Sequence, residues 1–204
     1  MPSEGPMIFR TAITLGAAVV LFGSAWQPAT ALSIEILPPS QSVAVGQQAS
    51  VDVVVDPTGN LIGAFDVLLA WDPALLEFTD SVFDPDGALG FALGGELLLG
   101  DGAVNVAGVS LEFDLTPFQD GISPVSLFSV TFTALAEGTS ALTLSPGITP
   151  LSEFLGDELG DPLTVDEVNN GQIVVEPAVV PEPPTLLLIG LAFAVAGAFR
   201  RGCR

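Results

Sequence analysis

The chain has 204 residues, 24 acidic residues against four basic ones, no histidine and a formal net charge of −20. All four cations (Arg10, Arg200, Arg201 and Arg204) lie near the ends with Glu4 and Glu182, so residues 32–180 keep the other 22 acids and hold no cation. That balance excludes nucleic-acid binding, which needs cations to displace counterions from phosphate. It disfavours an anionic membrane surface and allows no internal salt bridge except to a new N-terminal amine.

Taken in chain order, residues 1–31 read as a signal peptide. Arg10 gives a positive n-region, Thr11 to Gly23 is an uncharged apolar run, and Ala29-Thr30-Ala31 is a small-x-small cleavage site. The mature chain is expected to start at Leu32. Starting synthesis at Met7 would remove Glu4 and leave a cleaner basic n-region.

Residues 32–176 amount to one domain, with short alternating runs between Gly, Pro and Asp. Ile34 and Ile36 share a face; Val51, Val53 and Val55 share another, opposite Asp52 and Asp56. Phe65, Val67, Leu69 and Trp71 form the strongest stripe, with Asp66 on the other side. Val104 and Val106 alternate, as do Phe128, Val130 and Phe132 against Ser129, Thr131 and Thr133; Leu142 and Leu144, then Ile173 and Val175, complete the series. Period 2 places each set on one sheet face. Long helical periodicity is absent, with single helical turns expected at Pro73–Phe78 and within Leu151–Leu159. The pattern predicts an all-β, two-sheet sandwich of about eight or nine strands.

Two loops carry candidate calcium ligands: Asp84 and Asp86 in Asp84-Pro85-Asp86-Gly87, and Asp157, Glu158 and Asp161 in the run 156–161. Hard oxygen donors suit Ca²⁺, but Asp-Pro and Asp-Gly also simply make turns, and neither loop has an EF-hand pattern. The Gly-rich stretch Gly87–Gly102, with Phe91 and Leu97-Leu98-Leu99, is either a hairpin packed on the core or a binding edge. Trp71 is a core residue by its stripe, with sugar stacking as the other reading. Catalysis has little to work with. Without His, Lys, Arg, Cys or Tyr in residues 32–180 there is no His-based triad, thiol nucleophile, Schiff-base lysine or usual zinc site. Only carboxylate pairs remain, and none stands out, so no enzyme is expected. The lone Cys203 lies beyond the domain, so no disulfide holds it.

Residues 177–184 form a stiff Pro-rich linker. Thr185 to Phe199 then forms an apolar helix of about 22 Å, a short transmembrane anchor whose Arg200, Arg201 and Arg204 belong on the cytoplasmic side. Val180-Pro181-Glu182-Pro183, the short helix and the terminal arginines, in that order, resemble the PEP-CTERM sorting signal. The resemblance implies processing by an exosortase-type membrane enzyme at or near the motif. It also implies export across the inner membrane of a Gram-negative bacterium to the cell surface or extracellular matrix.

A second resemblance spans most of residues 32–176. Val45-Gly46, the run Ile62-Gly63-Ala64-Phe65-Asp66 through Trp71-Asp72-Pro73 to Leu75-Leu76-Glu77-Phe78, then Leu127–Phe132 and Asn170–Val175, are similar to cohesin domains and their carbohydrate-binding relatives. This implies a two-sheet jelly-roll sandwich and a non-catalytic module that binds a protein or an exopolysaccharide. Cohesin contact residues cannot be carried over, because no contact motif matches. The other expectation is an acidic structural matrix protein that acts by hydration and divalent-cation bridging.

Overall fold

The computed structural model describes residues 31–100, 102–148 and 153–178. The signal-peptide positions up to residue 30 (Ala29 among them), the sorting motif Val180, Pro181, Glu182 and Pro183, and the 185–199 helix with its basic tail lie outside the described residues. Among those described, no helix is long and apolar enough to cross a membrane.

Two sheets face each other. The first has five strands in the order β12 (Glu167–Asn169), β1 (Ser33–Leu37), β3 (Gln48–Asp56), β8 (Val125–Ala134) and β5 (Leu76–Phe83). The second is built on β4 (Ala64–Ala70). On one side β4 pairs with β7 (Ala103–Ser110), which pairs with β6 (Ala92–Leu98). On its other side lie β9 (Gly138–Pro146), then β13 (Gly171–Glu176) and β2 (Ser40–Ala44). The two-residue strands β10 (Leu155–Gly156) and β11 (Pro162–Leu163) continue beside the start of β4. The described strands number thirteen, more than the eight or nine expected. Most of the excess is β10, β11 and β12, which are too short to carry an alternation.

The inward stripes meet as their period demands. Val51, Val53 and Val55 of β3 and Phe128, Val130 and Phe132 of β8 are fully buried, with Val51 opposite Val130 and Val53 opposite Phe128. Phe65, Val67 and Leu69 of β4 close over them from the second sheet. Phe65 stacks on Phe128 at 5.9 Å and on Phe83 at 5.6 Å, so one aromatic column spans the sandwich. Trp71 is core as well. Its ring lies 5.1 Å from Phe132, and its Nε1–H donates to the Leu76 carbonyl at 2.9 Å. It is therefore a wall of the cleft of about 540 Å³ between Pro73, Phe78, Leu98, Gly102 and Leu135 rather than a freely presented ring.

Of the two helical turns expected, one is met and one changes, and a third turn is new. Pro73–Phe78 opens on the single turn expected of it and forms no longer helix. The Leu76 N–H closes one α-type turn onto the Asp72 carbonyl at 3.0 Å, and β5 begins at once. The described part of Leu151–Leu159 holds β10 and a turn instead of a helical turn. The one described helix, α1, is a single turn at Thr116–Gln119. Its buried Gln119 exchanges bonds with the Ile62 backbone at 2.8 and 2.9 Å and reaches the Ala88 carbonyl at 3.1 Å, tying three loops together.

Candidate binding face

The Gly87–Gly102 stretch contains β6, the first strand of a hairpin with β7, and its orientation follows from two glycines. Gly94 and Gly108 are register partners. A Cβ on either would overlap the Phe83 ring, and one on Gly108 would lie 3.0 Å from Phe65. The even positions of β6 therefore face inward, and Phe83 fills the space where two side chains are missing. By alternation, Leu93, Gly95 and Leu97 face outward.

These residues join a larger row. Leu93 pairs with Val109, Gly95 with Ala107 and Leu97 with Asn105. The Leu111 N–H donates to the Phe91 carbonyl at 2.8 Å, extending the row past the strand ends. Phe91 is 66% exposed, Leu93 58%, Leu97 54% and Val109 44%, so nothing described covers them. None of the outward residues of this hairpin is charged, in a domain where acids abound. A contiguous apolar strip of this kind is what interaction surfaces present.

The other outer face differs. On β3, β8 and β5 the outward side chains include Ser50, Asp52, Ser129, Thr131, Thr133 and Thr79, with the exposed Glu77, Asp80 and Val82 as register partners of the β8 residues. Ser129 donates to Asp52, Thr131 to Ser50 at 3.4 Å, and Thr79 and Thr133 share a bond of 2.9 Å. Those hydroxyls find partners in one another, in Asp52 and in the Val130 carbonyl.

Asp66 keeps the side that alternation gives it but not the exposure. It lies on the outer side of β4 yet is fully buried. Asn105 donates to its Oδ1 at 2.8 Å, while the Ile148 N–H donates to Asn105 Oδ1 at 3.2 Å. The chain after β9 runs over this pair, which alternation alone does not reveal.

The carboxylates singled out as calcium candidates stay in separate turns, and no three metal-ligating side chains converge among the described residues. Asp157 Oδ1 accepts the Leu159 and Asp161 N–H groups, both at 2.8 Å, and so shapes its own loop. Glu158 and Asp161 are exposed. Asp84 sits at a φ of +43° and accepts the Leu89 N–H at 3.1 Å. Burial pushes its carboxyl above the ordinary carboxylate range against the pull of the Leu89 and Ala88 amides, and Asp86 adds to the rise. A raised acid binds its proton more tightly folded than unfolded, so stability falls as pH rises through its titration. Asp84→Asn keeps an acceptor and tolerates this backbone. It should stabilise the fold at about pH 7 by less than ~1 kcal/mol, since the residue is only partly buried, and change nothing at about pH 3. Urea melts at both pH values check this.

The sequence leaves the Gly87–Gly102 stretch open between a core hairpin and a binding edge, although Phe91, Leu93, Gly95 and Leu97 alternate visibly. Period 2 identifies a face but does not say whether anything covers it.

Residues 179–201 match the model of the PEP-CTERM protein-sorting motif, a signal that implies export and cell-surface sorting in Gram-negative bacteria. No curated protein matches the chain. Among solved structures, a type I cohesin–dockerin complex from Clostridium thermocellum aligns with a TM-score of 0.56 at 11% identity, over 72% of this chain and 100% of that one. The sixth cohesin of scaffoldin B from Acetivibrio cellulolyticus, solved with the Cel5 dockerin, gives 0.55 at 16%, over 72% and 100%. A type II cohesin domain from the cellulosome of the same organism gives 0.55 at 18%, over 71% and 95%. The fold is thus that of a cohesin-like β-sandwich, and the chain carries a PEP-CTERM sorting signal.

Proposed function

We propose that this is a non-catalytic binding module, exported and displayed in the extracellular matrix or on the cell surface, which grips a partner protein through the outer face of the β6–β7 hairpin. The observation that carries the reading is the exposed, uncharged row Phe91, Leu93, Leu97, Val109 and Leu111. Two of the similar structures are cohesins solved in complex with dockerins, which makes protein recognition the natural use of such a fold. The partner should offer an apolar centre with a basic rim, since acids surround the row while the domain has no cation. The exosortase-type enzyme acts earlier, on the C-terminal signal.

The test compares two charge insertions against the partner isolated from the host envelope. Leu97→Asp should weaken binding about 30-fold, the loss expected for a centrally placed apolar contact. Thr131→Asp, on the hydroxyl-lined sheet, should leave affinity unchanged. Equal loss in both variants, or no loss in Leu97→Asp, refutes this face.

The acid excess supports a second reading, an acidic matrix protein bridged by divalent cations. It requires self-association that calcium induces and a chelator reverses, without any partner.

A further inference from the structure

The first residue of the described core meets a carboxylate. Leu32 is 5% exposed, and its side chain belongs to the hydrophobic core. Its backbone nitrogen donates to Asp166 Oδ2 at 3.1 Å, while its carbonyl accepts the Asp166 N–H at 2.8 Å. The two residues clasp each other across the chain, just before β1 pairs in parallel with β12. Ala31, immediately upstream, is exposed and outside any strand.

We propose that Asp166 is a built receptor for the α-ammonium group that appears when the Ala31–Leu32 bond is hydrolysed. Water adds its hydroxyl to the Ala31 carbonyl carbon, the C–N bond breaks, and the Leu32 nitrogen leaves as an amine that takes a proton. The nitrogen that now donates one bond becomes a cation in the same position. It is then the sole cation of a domain holding neither lysine nor arginine. The charged groups around it share one sign: Asp166, its neighbour Glu167 on β12, and Asp56 on β3, the register partner of Ser33. Each favours the protonated amine, and Asp166 lies close enough for a charge-assisted hydrogen bond. Processing thereby supplies the one internal ion pair that the composition otherwise forbids. It also explains why small-x-small ends at Ala31: one residue later, the buried Leu32 would be lost from the core.

The chain offers an unusually clean test. It contains no lysine, because its four basic residues are all arginines. The α-amine is therefore the one primary amine of the processed protein. Intact mass of the protein from its host first establishes whether the chain starts at Leu32. An amine-specific acylating reagent, which attacks the free base, then reports how tightly that amine holds its proton. Near pH 7 the Asp166→Asn protein should label about threefold to tenfold faster than the unaltered one. The Glu153→Gln protein, altered at an exposed acid, should label like the unaltered one. In about 6 M urea, where the fold is lost, the Asp166→Asn difference should vanish. A start elsewhere than Leu32 overturns the processing assignment. A start at Leu32 with equal labelling of the Asp166→Asn and unaltered proteins overturns the receptor role alone.

Discussion

Phe128→Ala should lower the free energy of unfolding by about 3–5 kcal/mol. Phe128 is fully buried on β8, opposite Val53, and stacks on Phe65, which stacks in turn on Phe83. Removing this end of the column takes away the contact across the sandwich to Phe65 and those within its own sheet to Val53 and Phe83. The hole cannot close easily, because both flanking rings are already fixed: Phe83 fills the Gly94–Gly108 gap and Phe65 sits in the β4 ladder. Small domains have about 5–15 kcal/mol in all, and this one carries the self-repulsion of its acids as well. The variant should therefore melt at much lower urea, with an unchanged slope if the unfolded state is unaffected. It should gain stability with added salt, as the unaltered protein should too, because screening acts on charge and not on the cavity. A loss below about 1 kcal/mol would mean that the two sheets do not meet through this column.

Gly147→Ala should destabilise by about 3 kcal/mol, the upper end of the usual overpacking penalty. A Cβ at this position would overlap the Asp66 carboxylate and lie 2.6 Å from Asn105 Oδ1. Neither group can retreat freely. Asp66 is held by Asn105, and the backbones of Asp66 and Gly147 are joined by an N–H···O bond of 2.9 Å. Asp66→Ala alone should also destabilise, because it removes a partner of the buried Asn105 amide. The double variant should lose less than the sum, since the second change clears the space that the first one needs. Strict additivity in that cycle, read from urea midpoints, would place the two residues out of contact.

The sandwich itself was readable because its inward residues repeat with period 2 over long runs. Val51 to Val55, Phe65 to Trp71, Phe128 to Phe132, Leu142 with Leu144, and Ile173 with Val175 all fall in the core where the alternation put them. Asp66 shows where such reasoning stops. Its position in the stripe places it on the outer side of β4, as observed, but burial there depends on a distant segment crossing over it. Gln119 escaped for a related reason, since a lone polar residue in a one-turn helix has no pattern to reveal its three backbone partners. The candidate face lay between these cases. Its residues alternate like core, and only the missing cover sets them apart. In the acid-rich loops, by contrast, the turn-forming alternative describes Asp157, whose carboxylate is committed to its own loop amides.

The last strand of the sandwich has a mechanical meaning. β13 lies between β9, which runs antiparallel to it, and β2, which runs parallel. Ladder bonds on both flanks lie across the strand axis. A pull at Glu176 along that axis strains the bonds of both ladders together, in shear, so none can open before the others share the load. The hairpin of β6 and β7 sits elsewhere in the same sheet, and the outer edge of β6 pairs with no described strand. A tether drawn tight through residue 176 thus meets the domain where it is hardest to tear, and a load arriving at the apolar row meets a strand that can be peeled away bond by bond.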